Sequence, residues 1–362
     1  MQTIEINNFG PIANAKIEIK KAVVLIGEQG SGKSTIIKLI STFMWLEKDL
    51  YRSSITNEDS VFKTYFQEDV KELLSYHRIE SYFNEKTSIV YQGFAYKLSF
   101  SNNKLTIDET QKDFIYPQII YIPAERNFIS YVNNFRAGDF IPWGLKDFID
   151  VFSSATKNLK QPLKLPINNA EIINEGFDIL NLKENGKYNI KLSDASSGFQ
   201  AIVPILLVSE YLLKKITTEN NREKNSSLKK TSFVSIVEEP EQNLFPVSQM
   251  QLVKSLVEIC NKNVNNKLII STHSPYVLAT INNLILANKA GDKNPEKVAK
   301  KVSENLWLNN NEVFAGIVKD GKVEKIIDPE FNIIQQEHID SVSQIINEEF
   351  DYLYQYETAN NA

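Results

Sequence analysis

Residues 22–35 read AVVLIGEQGSGKST, and this stretch decides the fold. Its first five residues are apolar, as in a buried strand, and a helical pattern of apolar side chains follows Thr35. Between the two, residues 27–34 match the pattern G-x-x-x-x-G-K-[ST]. Glycines let successive N–H groups turn inward around a phosphate chain, and the start of the next helix adds positive potential. The stretch therefore predicts a strand, a loop and a helix that bind a nucleoside triphosphate.

The side chains of this loop predict how a triphosphate and its Mg²⁺ are held. We expect Lys33 to reach the outer phosphates and Ser34 to ligate Mg²⁺ through its hydroxyl. Six further residues are predicted to contact the nucleotide: Gly27, Gln29, Gly30, Ser31, Gly32 and Thr35.

Length and composition are ordinary for a globular protein. The 362 residues are 42% hydrophobic and 23% charged, and the formal net charge is −5. A negative net charge argues against a generally basic surface that coats nucleic acid. Cys260 is the one cysteine, so no internal disulfide can form, and no apolar run reaches the roughly 18 residues of a membrane span. We therefore expect a cytoplasmic protein that is not embedded in a membrane.

Apolar periodicity in the first third of the chain predicts a mixture of strands and helices. Residues 1–19 read as two short strands, and the helix after the loop is predicted to end near Lys48. Residues 51–88 are polar and read as helical, with one apolar stripe that includes His77. For this histidine a place in the core is favoured over a ligand role. Residues 89–122 have the pattern of β-structure.

The rest of the chain predicts loops, a buried helix, a hairpin and a final helix. The stretch from about residue 156 to Lys191 reads as loop-rich. Residues 199–213 are apolar nearly all round, which is typical of a buried helix. Residues 313–327 have the pattern of a β-hairpin. The final helix is predicted to be amphipathic, with the apolar residues Ile339, Val342, Ile346, Phe350 and Leu353.

A second candidate site motif is FVSIVEEPEQNLFP at residues 233–246. The apolar residues 233–237 form a predicted strand that delivers Glu238 and Glu239 at its carboxyl end. Ligands of open α/β sheets bind at that end. One carboxylate there can hold Mg²⁺ through water while the other polarises an attacking water. An acidic loop after a core strand is also common, but the loop upstream favours the functional interpretation.

A third motif is KLIISTHSPYVL at residues 267–278. A predicted buried strand ends just before His273, and Ser274 has the position of a helix N-cap. This order places His273 at the same edge of the sheet as the loop and the carboxylates. An imidazole there can contact a γ-phosphate or orient water. A histidine of a capping turn without a functional role is the alternative.

A fourth motif is KLSDASSGFQAI at residues 191–202, which opens the predicted buried helix. The N–H groups of Ser197 and Gly198, together with the serine hydroxyl, can bind an anion at the helix start. Alone, this is an everyday helix cap. Its position in the chain between the loop and the acidic strand favours a function.

Along the chain the order is the phosphate-binding loop, Ser-Ser-Gly-x-Gln, the strand with Glu238 and Glu239, and then Thr-His. This order resembles that of ABC-type ATPases, and within them the heads of SMC, RecF and OLD-like proteins. The resemblance implies that residues 27–34 are the Walker A motif. It also implies that Ser197, Gly198 and Gln200 form the signature loop.

The same resemblance assigns the residues that act on the nucleotide. Glu238 and Glu239 match the Walker B pair, with Glu238 toward Mg²⁺ and Glu239 as the general base. His273 matches the switch histidine. The sequence departs from the family pattern in having Glu238 where aspartate is usual. It also has Phe199 in place of a signature glycine, which should limit how closely a partner backbone approaches.

No certain Q-loop glutamine is found in the sequence. The best region for this loop is YIPAERN at residues 121–127, which follows a predicted strand. Glu125 or Arg126 is the candidate there, and Arg126 is assigned a phosphate or switch role.

The fold implied by the resemblance is an α/β P-loop NTPase of ABC-ATPase type. It has a mixed sheet flanked by helices, an antiparallel β portion and a helical lobe that bears the signature. A single composite head is expected over residues 1–362. Residues 1–140 and 231–362 would form the nucleotide-binding lobe, and about 141–230 the helical signature lobe. Neither a coiled coil nor an appended nuclease domain is expected.

The resemblance further implies ATP and Mg²⁺ as ligands, slow hydrolysis, and a head-to-tail homodimer. ATP on one loop would be capped by Ser197 and Gly198 of the second copy. Stand-alone chains of this kind are expected to control a separately encoded effector, a nuclease or toxin, in phage defence or DNA maintenance. The alternative is a DNA-binding or DNA-sensing clamp that uses the basic stretches 157–164 and 222–230. For these stretches, solvated loop charge is the favoured interpretation.

Overall fold

In the part of the chain that the structure describes, eleven strands form one mixed sheet, and four more form a small antiparallel sheet. The structure, a computed structural model, describes residues 1–56, 59–65, 70–110, 114–131, 142–176, 179–184, 186, 188–222, 232–335 and 341–359. Within these ranges the strands are β1 (Thr3–Phe9), β2 (Ile12–Glu18), β3 (Ala22–Ile26), β4 (Ser88–Gln92), β5 (Tyr96–Ser101), β6 (Lys104–Glu109), β7 (Pro117–Ile122), β8 (Leu163–Lys164), β9 (Ala170–Asn174), β10 (Leu180–Glu184), β11 (Tyr188–Lys191), β12 (Ser232–Glu238), β13 (Lys267–Thr272), β14 (Val313–Lys319) and β15 (Lys322–Lys325). The α-helices of the same ranges are α1 (Lys33–Thr56), α2 (Val61–Tyr65), α3 (Val70–Leu73), α4 (Trp143–Lys157), α5 (Ser197–Arg222), α6 (Pro246–Asn261), α7 (Pro275–Gly291), α8 (Pro295–Ala299) and α9 (Ser341–Ala359).

The large sheet has the order β6-β5-β4-β1-β2-β15-β14-β3-β13-β12-β7. Strands β14, β3, β13, β12 and β7 run parallel to one another, whereas the strands from β6 to β2 pair antiparallel, as β15 does with β14. The carboxyl ends of parallel strands lie at one edge of the sheet, so the residues that follow β3, β13, β12 and β7 meet there. The predicted α/β class with a mixed sheet, helices on its faces and an antiparallel portion is confirmed.

Strand β3 is buried on both faces, as a central parallel strand must be. Ala22, Val24 and Ile26 point into a core cluster that includes residues of α5, α6 and α7. Val23 and Leu25 point to the opposite cluster, which includes the apolar face of α1. This double burial fixes the strand and therefore fixes the loop that follows it.

Helix α1 is longer than the sequence pattern predicted. The expected end near Lys48 is wrong, because the helix continues to Thr56. Asp49 and Leu50 are buried, and the Asp49 carboxylate accepts hydrogen bonds from the Ser60 hydroxyl (2.6 Å) and from the Phe62 N–H (2.9 Å). Tertiary contacts of a polar residue thus extend the helix where polarity alone indicated a stop.

The stretch after α1 consists of short helical pieces instead of one helix. Besides α2 and α3 it contains 3-10 helices at Leu74–His77 and Glu80–Tyr82. His77 is 6% exposed, in agreement with the predicted place in the core. The predicted strands of residues 89–122 are present as β4 to β7.

The prediction of a loop-rich stretch before Lys191 is wrong, because β8 to β11 form the second sheet there. Ile172 pairs with Leu182 and with Leu163 across this sheet. Ile172 and Leu182 are fully buried in the cluster that also receives α4 and α5. The strands have two to five residues, with polar side chains between the apolar ones, so the sequence showed only a weak strand pattern. The signature segment therefore combines helices with a sheet.

The buried helix predicted at residues 199–213 lies within α5, and the predicted hairpin is formed by β14 and β15. Helix α9 carries the apolar residues predicted for the final helix from Val342 onward, whereas Ile339 lies outside the described residues. Most of the basic stretch 222–230 also lies outside them. In the described part of the chain, none of the helices has both the length and the apolar character needed to cross a membrane.

Candidate functional site

The loop between β3 and α1 has a backbone that only glycines adopt without strain. Gly32 has φ of +103°, and a Cβ there would lie 2.4 Å from the Ile12 side chain. A Cβ at Gly27 would lie 2.4 Å from the backbone oxygen of Val318 on the neighbouring strand. Both positions therefore require glycine, as a loop wrapped closely around phosphates does. Gln29 and Gly30 are exposed, whereas Thr35 is buried at the start of α1.

Lys33 turns back over this loop from the first turn of α1. Its Nζ donates to the backbone oxygens of Gly27 (2.8 Å) and Glu28 (2.7 Å), and it lies 3.4 Å from the Ser31 hydroxyl. Burial lowers the pKa of Lys33 to about 8, while the charges of Glu239 and Glu241 act in the opposite direction. The ammonium is thus held where the loop would surround a phosphate.

Glu239 follows the last residue of β12 with a left-handed backbone. Its φ is +41°, a strained conformation for a side chain of this type, and its N–H donates to the Ser271 oxygen at 2.8 Å. The carboxylate is positioned from two sides, since Oε2 accepts from the Gln242 amide (3.1 Å) and Oε1 lies 3.2 Å from His273 Nε2. Strain in a residue that is fixed so firmly is a common property of functional positions.

His273 connects the loop with this carboxylate. Its Nδ1 lies 3.4 Å from Lys33 Nζ, and its Nε2 faces Glu239. With the ammonium as donor, Nδ1 accepts and Nε2–H donates to the carboxylate, which defines one tautomer. Ser274 caps α7 by accepting from the N–H groups of Tyr276 and Val277, as its position predicted. The structure thus joins Lys33, His273 and Glu239 in one chain of contacts.

Glu238, the residue before Glu239, is buried, with 3% of its surface exposed. Its Oε2 accepts from the N–H of Ala124 at 3.1 Å. Its Oε1 accepts no hydrogen bond from the residues that the structure describes and forms an ion pair with Lys38, whose Nζ is 3.9 Å away. A buried carboxylate oxygen without a hydrogen bond is costly unless a ligand uses it. Oε1 of Glu238 and the half-buried hydroxyl of Ser34 are both oxygen ligands, the kind that Mg²⁺ prefers.

Glu241 is a site residue that the sequence analysis missed. Its Oε1 accepts from the backbone N–H of His273 at 2.6 Å, while its buried Oε2 has no hydrogen bond of standard geometry to the described residues. Burial raises the pKa of this carboxyl group, and the hydrogen bond from His273 lowers it in part. The signal in the sequence was a third glutamate, two positions after the pair and in the same turn. It sets the backbone of His273 and adds negative charge beside Lys33.

Arg126 does not have the phosphate or switch contact assigned to it. The side chain is fully buried, and its described hydrogen bonds all go to backbone oxygens. It donates to Glu238 and Glu239 at 2.7 Å each, and to Pro123 and Ala201 at 3.2 Å. Burial lowers the pKa of Arg126 to about 10, so the guanidinium stays charged at neutral pH. Its place is that of a structural tie beneath the carboxylates.

The start of α5 holds the predicted signature residues. Ser197 is exposed and Gly198 partly so. A Cβ at Gly198 would lie 3.1 Å from the backbone oxygen of Asn243, so glycine permits the helix start to approach the segment after Glu239. The described hydrogen bonds include none between Ser197 or Gly198 and residues 27–35 of the same chain.

The two other signature positions face inward. Gln200 is buried, and its amide donates to the backbone oxygens of Ser193 (2.8 Å) and Ala195 (3.1 Å), which braces the turn before the helix. Phe199 is 6% exposed and packs in the core. The expectation that Phe199 limits the approach of a partner is therefore wrong, because its ring does not reach the surface.

A strand, glycine-rich loop and helix of this pattern, with acidic residues at the end of the parallel strand β12, one strand removed from β3, define a P-loop ATPase. The family described as AAA ATPase domain matches residues 1–138 and 141–278, which is more than half of the chain. The chain belongs to this family, and the predicted membership of the ATPases is thereby confirmed. Curated proteins gave no significant match.

Solved structures with a similar fold include heads of SMC proteins and ATP-binding cassettes. The SMC head domain from Thermotoga maritima has 13% identity and a TM-score of 0.39, and the match covers 77% of this chain and 90% of that one. An SMC head bound to the C-terminal winged-helix domain of ScpA has 12% identity and a TM-score of 0.42, with 90% and 96% covered. A dimeric ATP-binding cassette bound to ADP and Pi has 12% identity and a TM-score of 0.34, with 89% and 96% covered.

Proposed function

We propose that this chain hydrolyses ATP with Glu239 as the general base and that ATP joins two copies head to tail. The observation that carries the proposal is the contact chain from Lys33 through His273 to Glu239. The Lys33 ammonium and the Glu239 carboxylate lie on opposite sides of the His273 imidazole, which supports a role for the first at the outer phosphates and for the second as the base for water. Family membership supports ATP as the nucleotide.

In the proposed reaction a water oxygen attacks the γ-phosphorus while Glu239 accepts the water proton. The bond from the γ-phosphorus to the bridging oxygen breaks, which gives ADP and phosphate. Lys33 stabilises the charge on the phosphates, and His273 fixes the carboxylate and senses the γ-phosphate. Ser34 and Glu238 would hold Mg²⁺, which supplies charge neutralisation at the phosphates when bound. The loop residues Gly27, Gln29, Gly30, Ser31, Gly32 and Thr35 surround the nucleotide in this proposal.

The dimer is proposed because Ser197 and Gly198, at the start of α5, have no described hydrogen bond to the P-loop of the same chain. Ser197 is the first residue of α5 and is exposed. The N–H groups there would meet the γ-phosphate held by the second copy. ATP would then act as a clamp that opens after hydrolysis.

The output of this switch is proposed to be a separately encoded effector, a nuclease or toxin, in phage defence or DNA maintenance. Helix α9 offers a surface for such a partner, since Ile346, Phe350 and Leu353 are 57%, 63% and 60% exposed. Their spacing of i, i+4 and i+7 is that of helices bound in apolar grooves. Residues 326–362 contain no lysine or arginine but several acidic residues, so the groove would have a basic rim.

The ATPase proposal is tested by phosphate release from purified Lys33→Ala and Glu239→Gln variants. We expect turnover to fall by at least about 100-fold in each, because each removes a group that acts on the transferring phosphate. Lys104→Ala and Glu109→Gln are matched controls on the exposed strand β6, and they should keep full activity. A Lys33→Ala variant that still hydrolyses ATP contradicts the assignment.

Light scattering of Glu239→Gln with ATP should give a dimer, and a persistent monomer counts against the clamp.

The effector proposal is tested with a purified nuclease or toxin that binds the chain in a calorimeter. We expect its activity to change when ATP is added with the wild-type chain. Ile346→Asp/Phe350→Asp should abolish binding of the effector and leave the ATPase rate unchanged. Binding that survives this double substitution shows that α9 is not the contact surface.

A further inference from the structure

A cleft of about 800 Å³ lies between α1, β7, α4 and the 3-10 helix at Leu74–His77. Its walls include Ser41, Thr42 and Trp45 of α1, and Trp143 and Asp147 of α4. Residues 27–35 are not among the lining residues, so the cleft is separate from the phosphate-binding loop. Its volume is within the range of small-molecule sites.

The described walls of the cleft are aromatic and acidic. Aromatic rings come from four lining residues, namely Trp45, Tyr76, Tyr121 and Trp143. Three lining residues carry carboxylates, namely Glu72, Asp147 and Asp150, and none of the described lining residues is a lysine or arginine. Carboxylates and π faces both attract cations, whereas phosphates would be repelled.

The acidic side of the cleft is held in place by internal contacts. The Tyr76 hydroxyl donates to Asp147 Oδ2 at 2.6 Å, so this carboxylate has a defined position beside an aromatic ring. Lys146 Nζ lies 4.8 Å from the centre of the Trp143 ring, so a cation of the chain itself already contacts this ring, and a ligand cation would have to compete with it or use the remaining ring surface.

The floor of the cleft contains a polar atom without a partner. His77 lines the cleft and is 6% exposed, and within the described part of the chain its buried Nε2 has no hydrogen-bond partner. Its ring contacts that of Tyr121 at a tilt and that of Tyr76 edge-on, with centroids 4.5 and 4.7 Å away. Burial lowers the pKa of His77 to about 3, helped by the charge of Lys38, so the imidazole is neutral at pH 7. An unpaired buried nitrogen is costly, and a ligand group that reaches it would offset this cost.

We propose that this cleft binds a planar organic cation, such as an aromatic amidinium or guanidinium compound. The ring would lie against Trp45 and Trp143, and the cationic group would face Asp147 and Asp150. A polar group at the inner end would pair with His77. The site is distinct from the proposed catalytic group, because none of these residues belongs to that group.

The test uses benzamidine as the cationic probe and benzamide as its neutral counterpart, with the nucleotide-free full chain. Trp45 and Trp143 are two of only three tryptophans, so binding should change the intrinsic fluorescence. We expect a saturable change with a dissociation constant on the order of millimolar for benzamidine. Benzamide should bind at least about tenfold more weakly, because the charge supplies the discrimination. Calorimetry provides a measurement that does not depend on the tryptophans.

Two double variants assign the charge dependence to the cleft. Asp147→Asn/Asp150→Asn should weaken benzamidine binding at least about tenfold. Asp108→Asn/Glu109→Gln removes the same charge on the exposed strand β6 and should leave binding unchanged. The proposal is overturned if benzamidine gives no saturable signal or if benzamide binds equally well. Undiminished binding to Asp147→Asn/Asp150→Asn overturns it too. Failure of the ATPase proposal would show in phosphate release and would not affect this result.

Discussion

The Nη2 of Arg126 donates to the backbone oxygen of Glu239 at 2.7 Å, and the arginine side chain is fully buried. The Nη1 of the same side chain reaches Glu238, and Nε reaches Ala201 in the second turn of α5. One guanidinium thus joins the end of the acidic strand with the signature helix. Because Glu239 has a strained backbone, this tie helps to keep its carboxylate in place.

Arg126→Ala is expected to lower the free energy of unfolding by about 3 kcal/mol, because four backbone carbonyls each lose a charged donor. Urea denaturation measures this change. In the folded variant, turnover should fall while the affinity for a fluorescent ATP analogue stays within about twofold, since Arg126 does not face the loop. A variant that loses affinity and turnover equally would indicate a direct nucleotide contact instead. Arg126→Lys should retain part of the turnover.

Arg126 also shows what the sequence could and could not predict. Its position after a strand beside the acidic strand was predictable, since strand order follows from apolar runs. The direction of its side chain was not, because a long arginine reaches either the ligand or the backbone beneath it. The same limit applies to Gln200, which braces a turn, and to Phe199, which packs inward.

Local patterns predicted the strong elements and missed those that depend on distant contacts. The strand, loop and helix at residues 22–35 carry their own periodicity and glycines. By contrast, β8 to β11 are short, and their strand character comes from pairing with each other and burial against α5. Glu241 was missed because its contact is to the His273 backbone, 32 residues away.

The depressed pKa of Lys33 predicts a pH dependence of nucleotide binding. The protonated ammonium binds phosphates, and in the free protein it loses its proton near pH 8. Bound phosphates favour the proton, so the affinity should fall as pH rises above about 8, by up to about tenfold per unit. A fluorescent, non-hydrolysable ATP analogue titrated from about pH 7.5 to 9.5 measures this effect, since the nucleotide itself is fully ionised there. An affinity that stays flat over this range would contradict the assignment.

A variant sharpens this prediction because Glu239 raises the pKa of Lys33. Glu239→Gln removes this negative charge, so the pKa of Lys33 should fall. The affinity for the ATP analogue should then begin to fall at a lower pH than in the wild type. Glu109→Gln, on the exposed strand β6, should leave the midpoint where it is. A midpoint that moves upward in Glu239→Gln would show that the two groups are not coupled as the geometry indicates.

Glu47 predicts a stability effect far from the nucleotide site. Its carboxylate is 1% exposed and accepts hydrogen bonds from the Tyr91 hydroxyl (2.7 Å) and the Ala95 N–H (2.7 Å). Glu47→Ala leaves both donors buried without an acceptor, so the free energy of unfolding should fall by about 3 kcal/mol. Glu47→Gln keeps one oxygen and should cost less than about 1.5 kcal/mol. Urea denaturation distinguishes the two, and equal effects would contradict the hydrogen-bond explanation.

The free energies of unfolding of the wild type and of Glu47→Gln should depend differently on pH. Burial raises the pKa of Glu47 above its value in the unfolded chain, while hydrogen bonds oppose this in part. The folded state therefore binds the proton more tightly, and the stability from this group is lost as pH rises through the raised pKa. Glu47→Gln lacks this loss, so its stability relative to the wild type should improve between pH 5 and 8. A constant difference over that range would show that Glu47 titrates normally.

The exposed position of Ser197, together with the buried Lys33 of the same chain, predicts that two inactive variants restore each other. Lys33→Ala disables the loop, and Ser197→Arg blocks the signature end of α5. In a head-to-tail dimer of one copy of each, one site is doubly damaged and the other has an intact loop and an intact signature. Random mixing should therefore recover roughly a quarter of the wild-type rate, measured as phosphate release. Lys33→Ala mixed with Glu239→Gln, which damage the same half of the site, should recover nothing. If Ser197 acted on the loop of its own chain, neither mixture would regain activity.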